Sequence, residues 1–144
     1  MDSQAVDAVL AGMVADEYGW RADLGPAGGS FLGHPLRLEV QTQEVPEDDP
    51  PPSPSPAELA VARTVLTALP QLLPVAEREF TAYNAGHDPA AASQARDPYV
   101  WIHRDTIEEA GPARWCFVVG RADNEDFGYH LEPRWAGVPG VLGG

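Results

Sequence analysis

The segment 121–130, RADNEDFGYH, is the densest group of side chains in this chain that could perform chemistry. Asp123, Glu125 and Asp126 supply three carboxylates, and His130 closes the segment. A group of this kind could coordinate a metal ion, exchange protons with a substrate, or attract a cationic partner.

Metal binding is tested by spacing. A calcium loop of the EF-hand type needs oxygen ligands at positions 1, 3 and 5, glycine at 6 and glutamate at 12. Counting from Asp123 places Glu125 at position 3 and Gly128 at position 6. Positions 5 and 12 are Phe127 and Arg134, and neither side chain can chelate calcium. The segment is therefore interpreted as a turn rather than a metal loop.

The four histidines provide no second candidate for a metal site. They lie in separate segments, without the spacing that places two imidazoles on one face of a helix. We therefore expect no metal and no cofactor. The four are His34, His87, His103 and His130.

Catalysis is restricted because all nine basic residues are arginine. The absence of lysine excludes Schiff-base chemistry, a Walker-type phosphate lysine and a serine–lysine pair. His103 begins the triplet HRD of protein kinases, but Ala110 stands where the kinase asparagine would follow Asp105. One enzymatic alternative stays open: a small hydrolase or ligand-binding domain that uses Glu108, His103 or His130.

The charge of the chain restricts its partners. Twenty-two acidic and nine basic residues give a formal net charge of −13. Nucleic acid and anionic membranes carry the same sign, so we expect neither as a direct partner. A basic protein is the partner that such a field attracts.

Three features indicate the cytoplasm. Cys116 is the single cysteine and cannot form an internal disulfide. The N-terminal segment starts acidic, unlike a secretory signal, and no apolar run approaches the ~18 residues that span a bilayer. Cys116 itself lies between two aromatic residues of a predicted strand, where we interpret it as a small packed hydrophobe.

The secondary structure that positions the acidic segment is a predicted hairpin. Apolar residues alternate with other residues over 115–119 and over 127–131, which is the pattern of half-buried strands. The five residues 122–126 between them predict the connecting loop. The acids would then lie at a solvated tip that makes no core contacts.

The middle of the chain predicts helix. Ser55 and Glu58 form a capping box, and apolar residues spaced three and four apart run over 59–83. Pro70 and Pro74 interrupt this stripe, so we expect two helices or one sharply kinked helix that ends near residue 86.

The remaining elements follow from shorter patterns. The sequence predicts a helix capped by Ser3 that ends before Gly19, a strand over 18–24, a hairpin connection at GPAGG (25–29), a strand over 36–42, a loop over 84–98, a strand over 99–103 and a helical turn over 105–111.

These elements predict an α+β fold, in which an antiparallel sheet of about four to six strands packs against the helices of 56–84. The chain is interpreted as a single domain over 1–144. Residues 44–56, EVPEDDPPPSPSP, are acidic and proline-rich, which is typical of an extended surface loop.

The chain resembles small bacterial domains of unknown function that are similar to immunity proteins. Those domains carry an N-terminal hairpin with tryptophan, a helical middle, and a C-terminal strand that begins with Gly-x-His. The matching residues are Trp20, Gly128 and His130, and the resemblance covers most of the chain. It implies an accessory binding protein without an established catalytic residue.

The function that we predict from the sequence is a cytoplasmic, non-enzymatic binding protein, an immunity-like neutraliser of a basic protein. Interfaces combine aromatic anchors with a charged rim. A structural accessory subunit that uses the proline-rich loop as a tether is a further alternative. The predicted contact residues are Asp123, Glu125, Asp126, Trp101, Phe127 and Tyr129.

Overall fold

The computed structural model describes residues 1–17, 19–42, 51–103 and 113–131. Eight strands, three α-helices and one 3₁₀ helix are present in these residues. In chain order they are α1 (Ser3–Ala11), β1 (Val14–Ala15), β2 (Gly19–Asp23), the 3₁₀ helix (Pro26–Gly28), β3 (Ser30–Phe31), β4 (His34–Pro35), β5 (Arg37–Gln41), α2 (Pro56–Ala85), α3 (Ala91–Gln94), β6 (Ala95–His103), β7 (Arg114–Arg121) and β8 (Asn124–Leu131).

Six strands form one sheet in the order β1-β2-β5-β6-β7-β8, and β3 and β4 form a separate small hairpin. Every neighbouring pair in the large sheet is antiparallel except β5 and β6, which are parallel. The parallel pair arises because α2 lies between these strands in the chain and carries it back across the sheet. The predicted α+β class, with a sheet packed against helices, is confirmed.

One face of the sheet packs against the helices. The hydrophobic core takes alternate residues of each strand, such as Leu38 and Val40 of β5 and Val100 and Ile102 of β6, together with residues of α1, α2 and α3. Those side chains therefore point to one face, which we call the helix-covered face. The residues between them in the strands point to the opposite face, called the second face below.

Helix α2 is one continuous helix rather than two. The predicted capping box is present: Ser55 Oγ accepts from the Glu58 N–H at 3.3 Å, and Glu58 accepts from the Ser55 N–H at 2.8 Å. Both interior prolines lie on its exposed side. Pro70 cannot donate to the Leu66 carbonyl, but the Met1 amino nitrogen donates to that oxygen at 3.1 Å. The orphaned carbonyl is therefore satisfied, and the helix continues.

Helix α2 also answers a test for membrane spans. Among the described residues it is the one helix long and apolar enough to cross a membrane by length and composition, with a mean hydropathy of 1.5 in its most apolar window. The sequence expectation had found no such run. In this fold 44% of that window is buried, and the core helix of a globular domain passes the same test.

The N-terminal helix is shorter than predicted and has a different cap. Asp2, not Ser3, accepts the capping hydrogen bond, from the Ala5 N–H at 2.7 Å. The helix ends at Gly12 rather than near Gly19, because the next residues leave it to pair with β2 as strand β1.

Two predicted connections were also wrong in detail. The segment GPAGG forms a 3₁₀ helix and leads into the β3–β4 hairpin, so it is not itself a hairpin turn. The predicted loop 84–98 contains α3 and the first four residues of β6. Pro98 argued against a strand, but the pairing of β6 with β7 is irregular between Arg96 and Tyr99, so the missing N–H is tolerated there.

The C-terminal hairpin is confirmed, but its tip differs. Residues 122–123 form the turn, and Asn124 already pairs with Arg121. The next pair is Gly128 with Gly120, so three residues of β8 bulge out of the ladder. The predicted helical turn over 105–111, with Glu108, and residues 44–50 of the proline-rich segment lie outside the described residues.

The proline contact in α2 gives a stability prediction. Replacing Pro70 with alanine should restore the N–H donor to Leu66 and raise the free energy of unfolding, by less than the ~3 kcal/mol of an unsatisfied interior proline because Met1 already donates. Pro56→Ala is the control, since the first helical residue needs no N–H partner. Urea denaturation measures both variants. Equal stability of the two would contradict the explanation.

Candidate functional site

The acids at the hairpin tip do not form one equivalent group. Both carboxylate oxygens of Asp123 accept hydrogen bonds from Arg121, from Nε at 2.7 Å and from Nη2 at 2.8 Å. Asp123 is therefore half of a bidentate ion pair. The expectation that the tip makes no structural contacts was wrong for this residue, because its neighbour in the turn is an arginine that folds back onto it.

Arg121 connects this tip to the loop that follows α2. Its Nη1 donates to Asp88 and, at 2.8 Å, to the Tyr129 hydroxyl, which in turn donates to Asp88 at 3.3 Å. The Tyr129 ring packs edge-on against Phe80 of α2, with centroids 5.0 Å apart. Tyr129, predicted as a contact residue, thus belongs to a structural cross-link between β8 and the helix layer.

The charges of this network reinforce one another. The hydrogen bond from Arg121 is the main cause that lowers the pKa of Asp88 and that of Asp123, with burial acting against it. The hydrogen bonds to Asp123, Asp88 and Tyr129, in that order, raise the pKa of Arg121. All three groups are therefore held in their charged forms.

Glu125, Asp126 and Phe127 occupy the bulge of β8 and are exposed. Phe127 is 44% exposed and packs edge-on against Tyr129, with centroids 4.9 Å apart. Since Tyr129 contacts α2, this pair lies toward the helix-covered face. Trp101 lies elsewhere, so the structure does not bring the predicted anchors together.

Trp101 belongs to the second face, where it has aromatic neighbours. Its ring stacks on His103 with centroids 4.1 Å apart and planes inclined by 22°. His130 of β8 meets it edge-on at 5.7 Å. Tyr99 precedes Trp101 by two residues and lies on the same side of β6. We call Tyr99, Trp101, His103 and His130 the aromatic surface.

The register of the sheet explains why these rings assemble. Trp101 pairs with Cys116, and Tyr99 pairs with Val118, which pairs in turn with His130. Cys116 and Val118 are buried but do not belong to the core on the helix-covered face. These two small residues lie between strands that carry rings, so the rings spread over them. The burial of Cys116 agrees with its predicted packing role.

Charged residues border the aromatic surface on β5. The Arg37 guanidinium lies over the Tyr99 ring, 4.4 Å from its centroid, and its Nε is 3.5 Å from Glu39. Burial, followed by the negative charge of Glu39, raises the pKa of Tyr99, so its hydroxyl stays protonated at neutral pH. In the described part of the chain, no helix contributes to the core from this side of the sheet.

The enzymatic alternative gains only part of its predicted constellation. His103 and His130 both contact Trp101 on the second face, while Glu108 lies outside the described residues. Within the described ranges, no three histidine, cysteine or acidic residues are grouped to hold a metal ion.

The sequence hypothesis named Trp101 but missed its companions. The spacing of two in YVWIH could have placed Tyr99 and His103 beside it, since alternate residues share a face. No local pattern indicates that His130, from another strand, completes the group.

The ion-pair network predicts a pH dependence of stability. Because Arg121 lowers the pKa of Asp88 and Asp123 below the ordinary 3.8, its stabilisation is fully present above that value. It is lost as pH falls through the lowered folded values. Arg121→Met should therefore destabilise the protein at pH 7, and the difference from wild type should shrink below about pH 4.

Urea denaturation from pH 7 to about pH 3 measures this effect. Arg78→Met is the control, since it removes the same charge from an exposed position on α2. A stability deficit of Arg121→Met that is independent of pH would contradict the network.

Comparisons of the chain with protein-family models, with curated proteins and with solved structures find no match.

Proposed function

We propose that the protein is a non-enzymatic binding protein that engages a basic protein through the second face of its sheet. The observation that carries the proposal is the aromatic surface, whose four rings lie partly or fully exposed on the side away from the helices. Tryptophan and tyrosine supply much of the energy of protein interfaces, because they bury large areas at a small entropic cost.

The charge distribution supports a basic partner. On the second face Arg37 is compensated by Glu39, and in the strand pairing Asp23 lies opposite Arg37. The local charges thus balance near the rings, whereas the whole chain carries −13. We infer that the rings determine how long a complex lasts, while the net charge accelerates its formation.

Glu125 and Asp126 take the steering role that the sequence had given to three acids. Both are exposed in the bulge of β8, whereas Asp123 is engaged by Arg121. An immunity-like neutraliser that acts in the cytoplasm is the most specific form of the proposal. A hydrolase that uses His103 and His130 is the alternative, and a turnover assay on small ester and amide substrates would detect it.

The test begins with isolation of the partner from the native host on immobilised protein. The partner should be basic, and Trp101→Ala should increase its dissociation rate about 30-fold, the effect of a ~2 kcal/mol interface anchor. Phe127→Ala is the matched control, since it removes an exposed ring from the other side of the sheet. Its dissociation rate should stay near that of wild type.

Association rates test the steering. Replacing Glu125 with glutamine and Asp126 with asparagine should slow association at low salt and have little effect at high salt, where charges are screened beyond a few ångströms. An acidic partner, or wild-type dissociation from Trp101→Ala, would refute the proposal. Circular dichroism confirms that each variant is folded.

A further inference from the structure

A small cavity of about 230 Å³ lies beside the aromatic surface, where β2, β5 and β6 are neighbours. Three aromatic residues and two carboxylates contribute to its wall. The aromatic residues are Trp20, Tyr99 and Trp101, and the carboxylates are Asp16 and Glu39.

We propose that this cavity receives the guanidinium group of an arginine side chain from the partner. This inference rests on the proposed function and specifies how that surface recognises a basic protein. Aromatic faces attract cations through their quadrupole, and a carboxylate adds a charge-assisted hydrogen bond. The combination favours a planar organic cation over a neutral side chain.

The protein already holds one of its own arginines in this way. Arg37 places its guanidinium over Tyr99 at 4.4 Å and its Nε 3.5 Å from Glu39. A carboxylate accepts several hydrogen bonds, so Glu39 can accept from a second guanidinium beside Arg37. The site therefore extends an interaction that the fold itself contains.

The walls of the cavity are fixed before any ligand arrives. The Trp20 Nε1–H donates to the Pro52 carbonyl at 2.8 Å, and the Trp101 ring is stacked on His103. Asp16 accepts from the Gly19 N–H at 2.9 Å, which orients its carboxylate. Preorganised groups bind more tightly because less conformational freedom is lost.

Size and composition separate this cavity from the larger one on the same sheet. At about 230 Å³ it is smaller than the usual sites for cofactors and drug-sized ligands, and it suits the head of one side chain. The larger cavity, about 420 Å³, is lined by Arg21, Arg37 and Asp23 and has no aromatic residue in its wall. It lacks the rings that attract a cation.

The experiment is an NMR titration of the full chain with N-acetyl-arginine amide. Saturable shifts should appear at the indole N–H groups of Trp20 and Trp101, with an affinity in about the millimolar range of a single side chain. N-acetyl-citrulline amide has nearly the same shape without the charge, and it should cause no saturable shift. Equal binding of the two probes, or no saturable shift with arginine, would overturn the proposal.

Variants locate the site. Glu39→Gln should weaken binding of the arginine probe about tenfold, and Trp101→Leu should do so by a similar factor. Asp23→Asn removes a neighbouring negative charge outside the cavity and should leave the affinity within about twofold of wild type. An equal loss from Asp23→Asn and Glu39→Gln would show a general charge effect and contradict the cavity site.

The two proposals fail separately. If Trp101→Ala weakens partner binding but wild type ignores the arginine probe, the cavity inference is wrong and the binding surface stands. If the probe binds as expected and the isolated partner is insensitive to Trp101→Ala, the proposed function is wrong and the cation site stands.

Discussion

The packing of α2 against one face of the sheet is the constraint on which the rest of the structure depends. Because this helix connects β5 to β6, it makes them parallel neighbours at the centre of the sheet. Its buried residues satisfy the alternate apolar residues of the strands on that side. The other alternates, including Trp101, are left on the second face. The fold thus separates a core layer from a surface that is rich in rings.

A second contact determines what the acidic hairpin can do. Arg121 engages Asp123, Asp88 and Tyr129, and it thereby ties the hairpin to the loop after α2. These residues serve the structure, and the charges available for steering are those of the β8 bulge. A bulge at an edge strand also interrupts the regular ladder to which another strand could add. The hairpin therefore contributes charge to recognition, while the centre of the sheet contributes the rings.

Binding and cation recognition follow from the same arrangement in the two proposals. Trp101 contributes to both the aromatic surface and the cavity, and His103 fixes its ring. Tyr99 is shared in the same way and carries Arg37 as an internal cation. A surface built from rings, with a carboxylate at its border, favours a cationic side chain because attraction to the ring face and to the charge add together.

The sequence by itself determined the class of fold, the hairpin, the capped helix of the middle segment and the sign of the charge. Each of these follows from local periodicity, local capping or composition. Only the tertiary structure decided that Asp123 is paired, that Trp101 and Phe127 lie apart, and that His130 joins Trp101. Asp88 and Arg121 are 33 residues apart in the chain, and the rings of the second face come from strands that pair through the sheet. Such contacts depend on the order and register of the strands. Local periodicity fixes which face a residue occupies, but it does not fix which strand lies beside it.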